Sequence, residues 1–505
     1  MSFALTVISY FFYTRVFFNA PGAIGMTINS DSLVLPQMGW EMSHVPDAWR
    51  HFQWPRVPSL FPDMLWFWGA EGLGVDWRLA WNGFFLFSLS LMTLCLGAVV
   101  WRMGTLSFSR ALFVSSLTLA AYVAFVSSGA HVSALSDISG LLEIFLPAFH
   151  GSSFMLSLLA ATTANIACDR GNRIADFVPT ACLCAVSTFS DPMFITTFAV
   201  PFFLSTRMFA VRHRGANSVT RSMCQGIGPP LFLLFSCLVG FVGQEFLYKQ
   251  SLSGTVKHFP LVAFPKIIYF SLFSVRASFC LVFVLLSVIP FLKIRSEICG
   301  NKIEPCREML FYQGYTASII SLFILSVSYV DLSIYRYALP ATWWSIIFII
   351  SNIDSKSVRK ISNGFLVSLP FIILFFIFMG WKGNRNALDG WHAPLESCIS
   401  RNHDRLGLRD GLAGYWVSRK IEASSDWKLQ VEQVTGGNHM FIWGNNPDLY
   451  THGLHRFDKP PYFNYVIDDG KGEMQGLYRE MGPPSHILHC PEADVLVFSR
   501  QIRVE

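Results

Sequence analysis

Between Ile28 and Asp63 the chain reads INSDSLVLPQMGWEMSHVPDAWRHFQWPRVPSLFPD, and acids and bases crowd this stretch. Asp31, Asp47 and Asp63 supply carboxylates, while Arg50, His51 and Arg56 supply cations. A carboxylate accepts a proton from a hydroxyl, and a guanidinium matches the oxygens of a phosphate. Trp40, Trp49, Phe52, Trp54 and Phe61 are amphipathic aromatics of the kind that settle at a membrane–water boundary. Pro55, Pro58 and Pro62 keep the stretch from running as one helix. Acids and cations held among interfacial aromatics suit chemistry on a lipid headgroup.

Such a stretch needs elements that hold it at a membrane. Of 505 residues, 52% are hydrophobic and 14% are charged, and mean hydropathy is +0.42. Soluble chains carry about 25% charged residues, so this composition marks a polytopic membrane protein. A net charge of +5 without a basic tract excludes a nucleic-acid partner. Apolar runs of roughly 17–25 residues predict about eleven spans, near 3–21, 81–101, 111–129, 141–166, 174–190, 193–210, 225–243, 268–292, 309–330, 338–353 and 362–381. The first is read as a retained helix, because no charged region and cleavage site precede it. Glu143 and His150 fall inside the fourth, and with His131 they mark an ionisable group in a span or a boundary set too early.

Lys and Arg fall in every second loop: Arg102 and Arg110; Arg170 and Arg173; Arg207, Arg212, Arg214 and Arg221; Lys293, Arg295, Lys302 and Arg307; Lys356, Arg359 and Lys360. The positive-inside bias places these loops, and the N-terminus, in the cytoplasm. The Ile28–Asp63 stretch, the Ser190–Pro192 and Asp331–Tyr337 turns, the loop from Gln244 to Lys266 and everything after Trp381 then face outward.

The tail from Lys382 to Glu505 is polar and long enough for one domain. NALDGWHAPLESCISRNHDRLGL reads as loop and short helix. WKLQVEQV, HMFIWG, FNYVID and ADVLVFSR read as strands, with GGN, NNP and DDG as turns. The expected fold is therefore mainly α: a membrane helical bundle over 1–381, including an outward loop over 25–80, and a small α+β domain over 382–505. Trp416 and Trp443 are expected in that domain's core. His403, His439, His452, His455 and His489 have no metal-specifying spacing. Of eleven cysteines, only Cys398 and Cys490 lie in the outward tail, where an oxidising compartment permits them to pair.

The layout resembles the GT-C class of integral-membrane glycosyltransferases. SDSLVLPQM at Ser30–Met38, WPRVPSLFPDM at Trp54–Met64 and the outward SDP at Ser190–Pro192 carry the resemblance. It implies transfer of a monosaccharide from a polyprenyl-phosphate carrier, such as undecaprenyl-phosphate glucose, to a lipid-linked glycan such as O-antigen. The setting implied is the periplasmic face of a bacterial inner membrane. The partners implied are that donor, that acceptor and membrane lipids. In the class, an acid early in the first outward loop activates the acceptor hydroxyl, which makes Asp31 the catalytic candidate. One base suffices when the leaving group is a phosphate. Ser30 and Asp31 also precede the apolar LVLPQMGW and suit a helix cap.

Asp63 suits an N-cap, acceptor-sugar binding or a metal ligand. Asp191 suits a Ser-Asp-Pro turn or a second substrate or metal acid. Arg50, His51, Arg56, Lys266 and Arg336 are candidates for the phosphate, with Arg336 favoured because Tyr335 and Tyr337 flank it. The class is compatible with a divalent metal, and no pattern here specifies a metal or cofactor. Two other readings fit many spans: an O-antigen polymerase or ligase, whose large outward loop is usually internal, and a lipid-linked-glycan flippase, which calls for repeats that this chain lacks.

Overall fold

A computed structural model describes residues 1–20, 23–55, 57–104, 106–132, 140–170, 173–213, 228–247, 282, 284–299, 304–327, 339–365, 388, 391–435, 439–441, 444–452, 454, 459–470 and 481–504. The chain is mainly helical, with a six-stranded mixed sheet near its C-terminus. It divides into two compact units. One holds 1–23, 59–62 and 82–386; the other holds 24–58, 63–81 and 387–505.

The first unit is helical. Among the described residues four helices are long and apolar enough to cross a membrane: Trp77–Met103, Phe108–Gly129, Gly151–Asp169 and Gly228–Glu245. They mark a multi-pass membrane protein, and the shorter apolar Val178–Ser190 and Leu339–Ser351 helices lie among them. Hydroxyls inside them return to the preceding turn, as Ser116 Oγ does to the Leu112 carbonyl at 2.7 Å and Thr93 Oγ1 to Leu89 at 2.8 Å. Both of these hydroxyls thereby have a partner away from water. Gly240 lets two helices touch, since a Cβ there would stand 2.2 Å from the Ala185 carbonyl oxygen.

The expected 141–166 span is corrected. Its helix begins at Gly151, so Glu143 and His150 precede it. Pro147 interrupts the run, and Ala148 and His150 adopt positive φ, which ends any helix there. The expected spans at 268–292 and 362–381 fall mostly outside the described residues.

Two sets of helix ends are tied together. Arg102 Nε donates to Asn165 Oδ1 at 2.7 Å, Arg102 also pairs with Asp169, and Asn165 Nδ2 donates to the Cys306 carbonyl at 2.8 Å. His213 Nε2 lies 3.0 Å from Glu308 Oε2. At other helix ends, Ser190 Oγ accepts from Phe61 N at 2.9 Å, and Ser59 N donates to the Ser190 carbonyl at 3.0 Å.

The second unit is built on the sheet. Its strands are β1 (Asp410–Ala413), β2 (Val431–Thr435), β3 (His439–Met440), β4 (Phe463–Asp468), β5 (His486–Cys490) and β6 (Ala493–Val497), ordered β3-β2-β1-β4-β6-β5. The central pairs β1–β2 and β1–β4 are parallel, and the outer pairs are antiparallel. Both faces are covered: Ile399, Ile421, Val431 and Val495 fill one, and Leu412, Phe463, Val466 and Leu496 the other. That burial explains the near-continuous apolar runs in β4 and β6. The Tyr415–Ser424 helix connects β1 to β2, and Cys398 on the Pro394–Leu406 helix is disulfide-bonded to Cys490 at the end of β5.

Most of the Ile28–Asp63 stretch folds into this same unit, while 59–62 belong to the first. The Ser30–His44 helix packs against the Tyr415–Ser424 and Leu65–Gly72 helices. Val45 and Ala48 bury against Leu449 and Leu454, and Gln53 N donates to the Asn445 carbonyl at 2.8 Å. Arg78 Nη1 pairs with Asp426 at 2.5 Å, while its Nη2 donates to the Trp391 carbonyl at 2.9 Å.

Candidate functional site

Asp31 sits in the first turn of the Ser30–His44 helix without capping it. Asn29 is the cap: its Oδ1 accepts from Ser32 N at 3.1 Å, and Ser32 Oγ accepts from Asn29 N at 3.0 Å. The Asp31 carboxylate is thereby spared for other work. It stays half-buried, in a turn whose free N–H groups favour an anion. The Tyr415 hydroxyl donates to its Oδ1 at 2.5 Å. Burial pushes the Tyr415 phenol far above its usual range, so it remains a donor. Arg419 lies 5.0 Å over the Tyr415 ring, and Ser30 Oγ donates to the Tyr415 carbonyl. Asp31 is thus a positioned carboxylate with one oxygen engaged.

Behind Tyr415 lies a buried polar network. Arg419 is fully buried; its Nε donates to Gln37 Oε1 at 2.6 Å and its Nη1 to the Ser30 carbonyl at 3.1 Å, and it also donates to the Gly444 carbonyl. Gln37 Nε2 donates to Glu41 Oε1 at 2.7 Å. Glu432 accepts from Gln430 at 3.1 Å and from Asn445 at 3.3 Å, and Glu422 accepts from Val431 N at 3.0 Å. Loss of water pushes Glu41 up to about 8 and Glu432 to about 7, and with neighbouring carboxylates it pushes Glu422 well up. Sequence reading missed these three acids and Arg419. The signal was there in QVEQV, where Glu432 interrupts a strand with apolar neighbours.

The other expected residues are dispersed. Arg50 is exposed, 3.8 Å from Asp47 and stacked over Trp49. His51 Nδ1 lies 3.3 Å from Asp448. Asp63 is buried in the Leu60–Met64 turn that leads into the Leu65–Gly72 helix. Arg56, Lys266 and Arg336 lie outside the described residues.

Asp191 belongs to the first unit, where it meets a residue that the sequence left as a boundary marker. Its Oδ2 lies 2.7 Å from His150 Nδ1, and its Oδ1 accepts from Met193 N at 2.9 Å. The His150 backbone is left-handed, with φ of 63°, and the next residue must be glycine: a Cβ on Gly151 would stand 1.9 Å from the Ile144 carbonyl oxygen. A carboxylate that fixes an imidazole is a proton-handling arrangement.

Two hollows complete the picture. In the second unit, Trp416, Lys420, Asp469 and Glu492 border a cavity of about 160 Å³ over Leu395 and Ile421. Trp416 is therefore not in the core: it is 48% exposed, because its helix turns that side away from the sheet. Trp443 lies outside the described residues. In the first unit, Leu117, Ala121, Phe125, Ile346 and Ile350 line an apolar groove of about 500 Å³. Among the described residues no three His, Cys, Asp or Glu side chains gather as a metal would require. No protein-family model, curated protein or solved structure matches the chain.

Proposed function

We propose that the chain is a membrane glycosyltransferase that moves a monosaccharide from a polyprenyl-phosphate carrier to a lipid-linked glycan, on the periplasmic face of a bacterial inner membrane. The observation that carries this reading is the Asp31 carboxylate, relieved of capping by Asn29 and aimed by Tyr415. Asp31 takes the proton of an acceptor hydroxyl as that oxygen attacks the anomeric carbon. The bond from that carbon to the phosphate oxygen breaks, its electrons leave with the polyprenyl phosphate, and the configuration inverts. A phosphate leaves readily, so no second carboxylate is required.

Three further observations favour the reading. The apolar groove over Leu117 and Ile346 suits an isoprenoid chain. The Cys398–Cys490 bridge suits a tail on the oxidising side of the membrane. Arg102 and His213, from two of the basic loop regions, are both tied to the ends of neighbouring helices, as loops of one membrane face would be.

The test uses full-length protein in lipid nanodiscs with radiolabelled polyprenyl-phosphate hexoses and lipid-linked glycan acceptors, with and without chelator. Transfer that Asp31→Asn abolishes, in a variant that inserts and folds as wild type does, supports the reading. Undiminished turnover in that variant removes Asp31 from the role.

A further inference from the structure

The cavity beside Trp416 has the wall chemistry of a sugar-ring site. Its volume is about 160 Å³. A single water needs ~10–15 Å³ of such space, so the cavity takes one small ring. Its lining is aliphatic at Leu395 and Ile421 and polar at Lys420, Asp469 and Glu492. A pyranose has the complementary character: C–H bonds on its faces and hydroxyls around its edge.

Each of these polar groups has a matching partner on such a ring. Lys420 has donors for hydroxyl oxygens, and Glu492 and Asp469 accept from hydroxyl hydrogens. Lys420 Nζ and Glu492 Oε2 are 3.2 Å apart, so each side chain is already held where a ligand would meet it. Trp416 adds a large half-exposed indole to the lining. Apolar pockets with a few convergent polar groups are the usual form of small-molecule sites.

The cavity also lies one side chain away from the candidate base. Tyr415 contacts the Trp416 ring edge-on, with centroids 4.9 Å apart and planes at 78°. The same Tyr415 donates its hydroxyl to Asp31. One side chain therefore touches both the carboxylate and the indole, and Lys420 lies one turn after Trp416 on the same helix.

We propose that this cavity binds one hexose-like ring of the acceptor glycan, with Trp416 as its platform and Lys420, Asp469 and Glu492 holding its hydroxyls. Binding of the ring stands on the cavity alone; its assignment as acceptor rests on the transferase reading. Proton saturation-transfer NMR on the full-length protein in nanodiscs tests it, with methyl hexopyranosides as probes. Wild type is expected to saturate at least one hexoside at millimolar concentration. Trp416→Ala should reduce the transfer at least fivefold, Trp416→Tyr should restore part of it, and Lys420→Met should weaken it. Asp31→Asn should bind as wild type does.

No saturation of any hexoside, or equal saturation in wild type and Trp416→Ala, overturns the site. Loss of signal counts for it only in a variant whose thermal melt matches wild type; the half-exposed Trp416 favours such a match. Turnover separates the two proposals. Where wild type transfers sugar, Trp416→Ala should raise KM for the acceptor with kcat held, and an unchanged KM sinks the acceptor assignment. Binding without transfer from any polyprenyl-phosphate donor keeps the site and sinks the transferase reading.

Discussion

Tyr415 and Asp31 are 384 residues apart in sequence, yet the phenol of one is hydrogen-bonded to the carboxylate of the other. The contact joins the first polar stretch to the tail within one compact unit. If the carboxylate is the base, the phenol sets its aim. Tyr415→Phe should lower kcat about tenfold while leaving KM for the donor within about twofold. It should also cost on the order of 1–3 kcal/mol of stability for a lost hydrogen bond to a charged group. Steady-state transfer kinetics and thermal melts check both; unchanged kcat would make the phenol a structural contact only.

The buried acids fix a direction for pH dependence. Glu41 and Glu432 are pushed up to about 8 and about 7, against an ordinary value of 4.5. A carboxyl raised by folding holds its proton more tightly in the folded state. Its contribution is whole below about 4.5 and is lost as pH climbs to the folded value. The unit should therefore melt at a lower temperature at pH 8 than at pH 5, and Glu41→Gln should flatten that slope. Differential scanning fluorimetry in nanodiscs from pH 5 to 8 reads it; stability that rises across this window would contradict the assignment.

Arg419 ties its own helix to two other parts of the chain: Ser30 and Gln37 on one helix before it, and Gly444 after it. Arg419→Ala leaves those acceptors without their donor and removes the cation nearest the buried carboxylates. A loss of about 3–5 kcal/mol is expected, enough to expose the tail to proteolysis. Limited trypsin digestion of membranes should release tail fragments from the variant and not from wild type.

Cys398 and Cys490 close a loop with a sequence separation of 92 residues. Tying such a loop constrains the unfolded chain by roughly 2–4 kcal/mol. Cys398→Ser should migrate differently from wild type on a non-reducing gel, should comigrate with it under reduction, and should melt lower. Identical mobility in both conditions would show the thiols unpaired in the membrane.

The His150–Asp191 pair offers the rival place for proton handling. If Asp31 is the base, His150→Gln and Asp191→Asn should each change kcat less than about tenfold. Gly151→Ala should misfold the first unit, because the added methyl meets the Ile144 carbonyl. A loss in His150→Gln as deep as that in Asp31→Asn would move the proton to the imidazole.

Local pattern by itself determined a good part of this protein. The apolar runs at 81–101 and 111–129 are helices, because a stretch with few polar groups has one stable form in lipid. Strands lie within WKLQVEQV, FNYVID and ADVLVFSR, and of HMFIWG the described strand is His439–Met440; the strands Asp410–Ala413 and His486–Cys490 were missed. The pairing of Cys398 with Cys490 was expected from their shared place in the tail. Tertiary structure decided the rest. It set Asn29, not Ser30 or Asp31, as the cap, and it gave Asp31 a partner in Tyr415. It drew Glu41, Glu422 and Glu432 around Arg419 where the sequence showed only scattered charges, and it turned Trp416 outward to border a hollow. Helix and strand propensities act over a few neighbours along the chain. Burial, and the partner that a buried polar group must find, depend on segments hundreds of residues away, so they exist only once the chain has folded.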